Sequence, residues 1–295
     1  QPIRGWFIFW HANVHSMLTE VAFCISCYFM VLCIEYLPLL LENRKIYQFS
    51  VPHSLAHHLH EAMPTIAAVG VFLSSFHQGS LGGVPGVLYG RPFAYREGFL
   101  VWPWTFFLFI LSAIACGPCF TILITKITEA LGGKRLVKKN VINILAKIAG
   151  GLTALYVVLK IIDTLAWFGL ANELGAPVKS FYANGPYGWW ILITEVLILG
   201  AIPAVLLLIP RTRQMESVLV IASALNCAGI LLNRWVLTVQ TLAIPVMSFD
   251  EFVNYMPNWV EWATTLLPVW IGIVVIMLSY RYLPIFPQER ELNPY

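Results

Sequence analysis

The sequence predicts an all-α protein that crosses a membrane several times, and three observations lead to that prediction. Of the 295 residues, 59% are hydrophobic and only 11% are charged. The mean hydropathy is +0.75. Apolar stretches of about 20 to 30 residues recur to the end of the chain, and such lengths cross about 30 Å of hydrocarbon. This composition excludes a soluble globular core.

The apolar stretches place seven membrane helices between breaks that carry turn chemistry. Gly-rich or Pro-containing breaks fall at 81–86, 131–134, 184–186 and 209–210. No linker separates folded domains, so residues 1–295 are predicted to form a single integral membrane domain. The chain opens on an apolar helix without a start Met, and we expect further helices to precede it. The predicted helices are 7–41, 56–84, 100–131, 141–173, 187–210, 215–243 and 258–283.

The distribution of basic residues predicts the orientation of these helices. Alternate connections must lie on opposite sides of the membrane, and one side then carries eleven Lys and Arg residues against four on the other. By the positive-inside rule, the N-terminal end and the 82–99, 174–186 and 244–257 loops face outward. The outward side of a bacterial inner membrane is the periplasm. The net charge of +3 is therefore a topology signal and does not indicate a nucleic-acid partner.

Ionisable and strongly polar side chains on six predicted helices fall at one depth, in the outer half of the membrane. Such groups are costly in hydrocarbon and normally face a cavity, a partner or a pathway. On the first helix, His11 and His15 are predicted to share a helical face, as are Asn13 and Glu20. An interhelical hydrogen bond is the alternative for any single residue, and Lys160 lies one turn from Asp163 as a candidate ion-pair partner.

Neither the histidines nor the cysteines predict a metal site. The C-x-x-C pairs Cys24/Cys27 and Cys116/Cys119 fall inside predicted helices, and we interpret all six cysteines as packing thiols. His57, His58 and His60 are more typical of a solvated helix start than of a zinc centre.

Four segments resemble the NrfD / polysulfide-reductase membrane-subunit superfamily. They are residues 15–22 (HSMLTEVA), residues 73–82 (LSSFHQGSLG), the pair Asn233 and Arg234, and residues 257–261 (PNWVE). The likeness is nearest to the ten-helix branch, which includes the HybB-, Hmc-, Qrc- and Dsr-type subunits. About three helices would then precede Gln1. Gly79 departs from the family pattern, where a small polar residue such as Ser is expected.

The resemblance implies a membrane subunit that binds menaquinone or ubiquinone near the periplasmic face and holds no metal or haem. It implies electron exchange with an extrinsic periplasmic iron–sulfur (ferredoxin-like) subunit and proton exchange with the quinone. Further partners would be a multihaem cytochrome, a hydrogenase or a molybdopterin-type catalytic subunit, together with membrane lipid. The location would be the inner membrane of a bacterium or archaeon, with a role in anaerobic respiration and proton translocation.

The polar residues at the outer depth supply the candidate site. The predicted quinone-binding residues are His15, His77, Gln78, Ser80 and Arg234, and the predicted proton-exchange residues are Glu20, Asp163, Glu195 and Glu261. Two other functions remain open at this point. A secondary transporter would use the same carboxylates and Arg234 to bind a solute, and a cytochrome b would use His15 and His77 as axial haem ligands.

Overall fold

The computed structural model describes residues 7–13, 16–42, 49–87, 98–99, 102–173, 183, 188–243, 251, 255–283, 285–286 and 292. These residues are almost entirely helical. In chain order they form α1 (Phe7–Trp10), α2 (Met17–Leu41), α3 (Ser50–Val87), α4 (Trp104–Gly132), α5 (Lys139–Glu173), α6 (Trp189–Ile193), a π-helical segment (Thr194–Ala201), α7 (Ile202–Leu208), α8 (Pro210–Arg213), α9 (Glu216–Ala243) and α10 (Trp259–Tyr282).

Seven stretches of the described residues are long and apolar enough to cross a membrane. One of them, Trp189–Leu208, runs through α6, the π segment and α7. The prediction of an all-α, multi-pass protein with seven spans is therefore confirmed. Two short strands, β1 (Gly98–Phe99) and β2 (Trp102–Pro103), pair antiparallel just before α4 and leave the fold class unchanged.

The predicted helix boundaries hold to within four residues, except in the first helix and at the start of the second, because α3 begins at Ser50 and the prediction placed its start at residue 56. The predicted helix over 7–41 is interrupted, because α1 ends at Trp10 and α2 begins at Met17. Ser16 has extended backbone angles at the N-cap of α2, and its amide donates to the Asn13 carbonyl. Ser and Asn favour such caps and turns over helix interiors. The predicted shared face of Asn13 with Glu20 is therefore wrong, whereas the pairing of His11 with His15 involves a residue outside the described ones.

The chain divides into two compact units, and the division falls within α3. Unit one comprises residues 1–77 and 256–287, and unit two comprises 78–255 and 288–295. Unit one contains α1, α2, most of α3 and α10. Unit two contains the end of α3 and every helix from α4 to α9. Among the described residues, the functional geometry below lies mainly in unit two.

Small residues allow the helices of unit two to pack closely. α4 packs on α5 and α9, and α5 packs on α7. Gly150 of α5 lies against Leu207 of α7, where an added Cβ would come within 3.0 Å of the Leu207 Cβ. Gly229 of α9 lies against the π segment, where a Cβ would come within 2.7 Å of the Leu199 carbonyl oxygen. Close approach at small residues is the usual way that membrane helices associate.

Candidate functional site

A buried carboxylate, Glu195, is the centre of the polar site in unit two. It lies in the first turn of the π segment and is 4% exposed. Its Oε1 accepts a hydrogen bond from Asn233 Nδ2 at 2.7 Å and a longer one from the Tyr156 hydroxyl at 3.5 Å. Lys160 Nζ lies 3.6 Å from the same oxygen, and Lys160 is also buried. π-helical turns are rare and often mark functional positions.

Arg234 extends this network towards α3 and α4. Its guanidinium carbon lies 3.5 Å from the centroid of the Phe109 ring, in a cation–π contact. Nη2 donates to the Phe109 carbonyl at 2.9 Å and to Gln78 Oε1 at 3.3 Å, and Nη1 donates to Asn233 Oδ1 at 3.2 Å. The result is a continuous polar string across α3, α9, the π segment and α5. Its members are Gln78, Arg234, Asn233, Glu195, Tyr156 and Lys160.

Two glycines of α3 bring Gln78 close enough to α4 for this network. A Cβ on Gly79 would lie 2.5 Å from the Phe106 ring, and a Cβ on Gly82 would lie 2.5 Å from the Thr105 carbonyl oxygen. The Phe106 ring thus occupies the space that the side chain of the expected small polar residue, such as Ser, would need at position 79. Ser80, between them, is completely buried.

Further buried polar residues follow the same helix faces as the string. Asn226 Nδ2 of α9 donates to Thr153 Oγ1 of α5 at 2.7 Å. Thr153, Tyr156, Lys160 and Asp163 are spaced by three, four and three residues, and Asn226 lies seven residues before Asn233, so each set shares one face. All of these residues are buried. The sequence interpretation missed Thr153, Tyr156 and Asn226, although this spacing was a visible signal.

The predicted site residues separate into several environments. Gln78, Arg234 and Glu195 belong to the polar string, and Asp163 is buried on the same face of α5 as Lys160. Ser80 is buried two residues after Gln78 in α3. His15 lies outside the described residues. The structure therefore groups three of the predicted residues directly, while the roles of all nine remain predictions.

The predicted residues of unit one have simpler surroundings. His77 is partly buried beside the Val21 backbone, and its Nδ1 has no hydrogen-bond partner among the described residues. Glu20 is partly buried in the first turn of α2. Glu261 is exposed and forms a capping box with Asn258: its carboxylate accepts from the Asn258 amide at 2.7 Å, and its own amide donates to Asn258 Oδ1 at 3.0 Å. This contact gives Glu261 a structural role at the start of α10.

The described residues contain no group of three His, Cys, Asp or Glu side chains placed to hold a metal ion. All seven histidines of the sequence precede Gln78. None of the six members of the polar string is a histidine. The six cysteines are free thiols, and the Sγ atoms of Cys116 and Cys227 lie 3.7 Å apart across α4 and α9.

The family model for NrfD, described as polysulphide reductase, matches residues 1–246. The chain belongs to the NrfD family. Its 295 residues are 50% identical to a protein of Nitratidesulfovibrio vulgaris named "Menaquinone reductase, integral membrane subunit". That alignment covers 99% of this chain and 70% of the relative.

A more distant relative extends the comparison to Escherichia coli. The chain is 27% identical to the "Probable Ni/Fe-hydrogenase 2 b-type cytochrome subunit", over 95% of its own length and 66% of the relative. A second N. vulgaris protein is also 27% identical, over 91% of the chain and 63% of the relative. The chain thus spans about two thirds of the length of the relatives that it matches.

Proposed function

We propose that this chain is the quinone-binding membrane subunit of a respiratory redox complex, and that its quinone is menaquinone. The observation that carries the proposal is the polar string from Gln78 to Glu195, which lies among largely apolar helices. Asn233 and Glu195 are buried, and Gln78 and Arg234 are partly buried. Buried polar and charged groups in a membrane protein are functional sites by default. The relative that is 50% identical over the whole chain is named for menaquinone reduction.

The residues divide between headgroup binding and proton exchange. His15, His77, Gln78, Ser80 and Arg234 would hydrogen-bond the quinone oxygens, since imidazole, amide, hydroxyl and guanidinium groups all donate to carbonyl acceptors. The Phe109 ring and carbonyl already hold the Arg234 side chain in place. Little side-chain entropy would therefore be lost when a ligand binds to it.

Three carboxyl groups would exchange protons with the ring: Glu20, Asp163 and Glu195. The fourth predicted group, Glu261, would instead serve to cap α10. Converting a quinone into a quinol consumes two electrons and two protons. In this proposal the electrons come from a partner, and the protons pass through side chains of this chain. Glu195 is the best placed in unit two, because Tyr156, Lys160 and Asn233 surround it and connect it to Arg234.

The basic-residue count supports a headgroup position near the periplasmic surface of an inner membrane, under the 82–99 loop. A periplasmic iron–sulfur subunit would dock on that face, with a multihaem cytochrome, hydrogenase or molybdopterin-type subunit beyond it. Protons would be taken from outside, or from inside through groups such as Glu35, Glu61 and Lys147. The inner route would make turnover electrogenic. Each elementary charge moved across the membrane then changes the free energy by about 2.3 kcal/mol per 100 mV of membrane potential.

The cytochrome alternative has one observation in its favour, which is the phrase "b-type cytochrome" in the name of the E. coli relative. Haem ligation by His15 and His77 would give the purified protein a Soret absorption band. Under the quinone proposal we expect no Soret band that belongs to this chain, and a band lost in His77→Ala would instead establish haem ligation.

The proposal is tested by His77→Ala in the assembled complex, with quinone-linked turnover and quinone binding measured separately. We expect His77→Ala to lower kcat/KM for a soluble naphthoquinone at least about tenfold, because a positioned hydrogen bond or proton donor contributes about 10²-fold or more. His57→Ala is the matched control, since His57 lies on the same helix and its side chain is 68% exposed. Normal turnover in assembled His77→Ala would remove His77 from the headgroup site.

A further inference from the structure

The two oxygens of the Glu195 carboxylate have unequal surroundings. Oε1 accepts from Asn233 Nδ2 at 2.7 Å and from the Tyr156 hydroxyl at 3.5 Å, and Lys160 Nζ lies 3.6 Å from it. Oε2 is buried as well, but it has no hydrogen-bond partner among the described residues. Leaving a buried oxygen without a partner costs free energy, and a catalytic role is one of the reasons that such an oxygen is retained.

Asn233 determines which oxygen is occupied, because its side-chain amide is held at both ends. Its Oδ1 accepts from Arg234 Nη1 at 3.2 Å, while its Nδ2 donates to Glu195 Oε1. A guanidinium group can only donate, and an ionised carboxylate can only accept. A flipped amide would place two donors against each other at Arg234 and two acceptors against each other at Glu195. The neighbours of Asn233 therefore fix its orientation.

Helix α9 presents Asn233 and Arg234 to different partners. Consecutive residues of an α-helix point about 100° apart. Arg234 accordingly reaches the Phe109 carbonyl of α4 and Gln78 of α3, whereas Asn233 reaches Glu195 of the π segment. Among the described residues, the hydrogen-bonded connection from Arg234 to Glu195 passes through the Asn233 amide.

A proton can be added to Glu195 Oε2 without breaking any of these contacts. A protonated carboxyl group keeps a carbonyl oxygen that accepts and gains one O–H donor. With the proton on Oε2, Oε1 still accepts from Asn233 and Tyr156. A proton on Oε1 would instead compete with those donors for the same lone pairs. Glu195 can thus gain and lose a proton at Oε2 with little rearrangement of its surroundings, which is a form of preorganisation.

We propose, on the basis of the function proposed above, that Asn233 is a positioning residue. It holds Glu195 by Oε1, so that Oε2 is the oxygen that exchanges the proton with the quinone headgroup. In that transfer the O–H bond at Oε2 breaks and an O–H bond forms on a ring oxygen of the reduced headgroup, which leaves Glu195 as a carboxylate. The electrons come from the redox partner of the proposed function.

Infrared difference spectroscopy of the assembled complex tests the assignment of the two oxygens. Spectra are recorded between the oxidised and reduced states of a soluble naphthoquinone, and the Glu195 carboxyl band is the one that Glu195→Gln lacks. A carboxyl C=O stretch rises in frequency when its oxygen loses a hydrogen-bond donor. If Oε2 carries the proton, Oε1 is the C=O oxygen. Asn233→Leu should then raise the frequency of the band, and Tyr156→Phe should raise it less, because the Tyr156 bond is longer.

Asn226→Leu is the matched control for the loss of a buried amide. Asn226 lies seven residues before Asn233 on the same face of α9, and the two residues are 1% and 2% exposed. The Asn226 side chain donates to Thr153 and not to Glu195. Asn226→Leu should therefore leave the carboxyl band at its wild-type frequency.

A double-mutant cycle on turnover gives a second readout. We expect Asn233→Leu to lower kcat about tenfold or more, because misplacing a reacting group by about 1 Å can cost about 10²-fold. In the Glu195→Gln background, the same substitution should lower kcat by less than about twofold, since a residue that acts through Glu195 has no further effect once its carboxyl group is gone.

An unshifted carboxyl band in Asn233→Leu would overturn the proposal, as would an unshifted band in Tyr156→Phe if Asn233→Leu does not assemble. An equal loss of kcat from Asn233→Leu in both backgrounds would also overturn it. These results leave the proposed quinone function standing. Wild-type kcat in Glu195→Gln, or the absence of any carboxyl band that depends on Glu195, would instead contradict proton exchange at Glu195 and so overturn both.

Discussion

The two units differ in how their helices use polar residues, and this difference is more informative than hydropathy. In the most apolar windows of α2, α3 and α10, 6% of residues are buried, against 33–39% in the spans of unit two. Hydropathy does not separate the two groups in the same way, since α2 and α10 are more apolar than α5 and α9 but less apolar than α4 and the 189–208 span. Among the described residues, eleven of the twelve buried polar side chains belong to unit two, and only Ser279 belongs to unit one.

The comparison shows that helix burial in this chain follows the presence of polar side chains more closely than it follows hydropathy. Lipid tails are as apolar as leucine, so apolar surface gives no reason for membrane helices to leave lipid. Helices instead associate where small residues permit close contact and where polar groups find partners. The glycines at 79, 82, 150 and 229 and the string from Gln78 to Glu195 supply both in unit two.

The largest effect is expected from a mutation that breaks the buried ion pair between Glu195 and Lys160. Glu195→Leu leaves Lys160 buried beside an apolar side chain, and we expect it to lower the free energy of unfolding by about 3–5 kcal/mol. Adding Lys160→Met should recover part of that loss, since the ammonium group that lost its Glu195 partner is then gone as well. Thermal unfolding of the purified complex checks both. An unchanged Glu195→Leu variant would show that the pair at 3.6 Å adds nothing to stability.

The next largest effect on stability is expected where α3 and α4 approach each other closely at Gly82. Gly82→Ala places a methyl group 2.5 Å from the Thr105 carbonyl oxygen, a backbone atom, so a helix must shift. Overpacking of this kind costs about 1–3 kcal/mol. Gly151→Ala is the control, because nothing lies within 4 Å of its added Cβ, and it should be neutral or slightly stabilising. Equal melting temperatures for the two variants would contradict the tight packing.

The smallest effect compares one interhelical hydrogen bond from each unit. In unit two, Asn226 donates to Thr153 at 2.7 Å, and in unit one the hydroxyls of Tyr36 and Ser279 lie 2.5 Å apart. Such bonds average about 0.6 kcal/mol and reach about 1.7 in membrane proteins. Double-mutant cycles with Thr153→Val/Asn226→Leu and Tyr36→Phe/Ser279→Ala should give a larger coupling energy for the buried pair. A larger coupling in unit one would reverse the comparison.

Much of the fold could be predicted because its helix ends carry recognisable residues. Gly133 and Pro210 mark ends within a few residues of the observed ones. The break between Trp10 and Met17 was missed because residues 11–16 contain neither Gly nor Pro. The π segment could not be predicted, since its wider hydrogen-bond register leaves no mark on hydropathy.

The site was predicted in part for a similar reason. Gln78, Arg234 and Glu195 stand out in apolar helices, because their side chains are costly in hydrocarbon. The side chains of Thr153, Tyr156 and Asn226 are less costly to bury in hydrocarbon than charged ones, and they were not included in the predicted site. Their helical spacing nevertheless places them on the same helix faces as the string. Glu261 looked equivalent to Glu195 in sequence, but one caps an exposed helix start and the other is buried in a network.

The central claim, that the polar string of unit two exchanges protons with quinone, is tested most directly by amide replacement of these two carboxylates. Glu195→Gln keeps the shape and a carbonyl oxygen for Asn233 but removes the exchangeable proton. In the assembled complex it should lower kcat for quinone-linked turnover at least about tenfold, with KM changed by less than about twofold. Glu261→Gln should retain wild-type kcat. Wild-type kcat in Glu195→Gln, or an equal loss in Glu261→Gln, would contradict the claim.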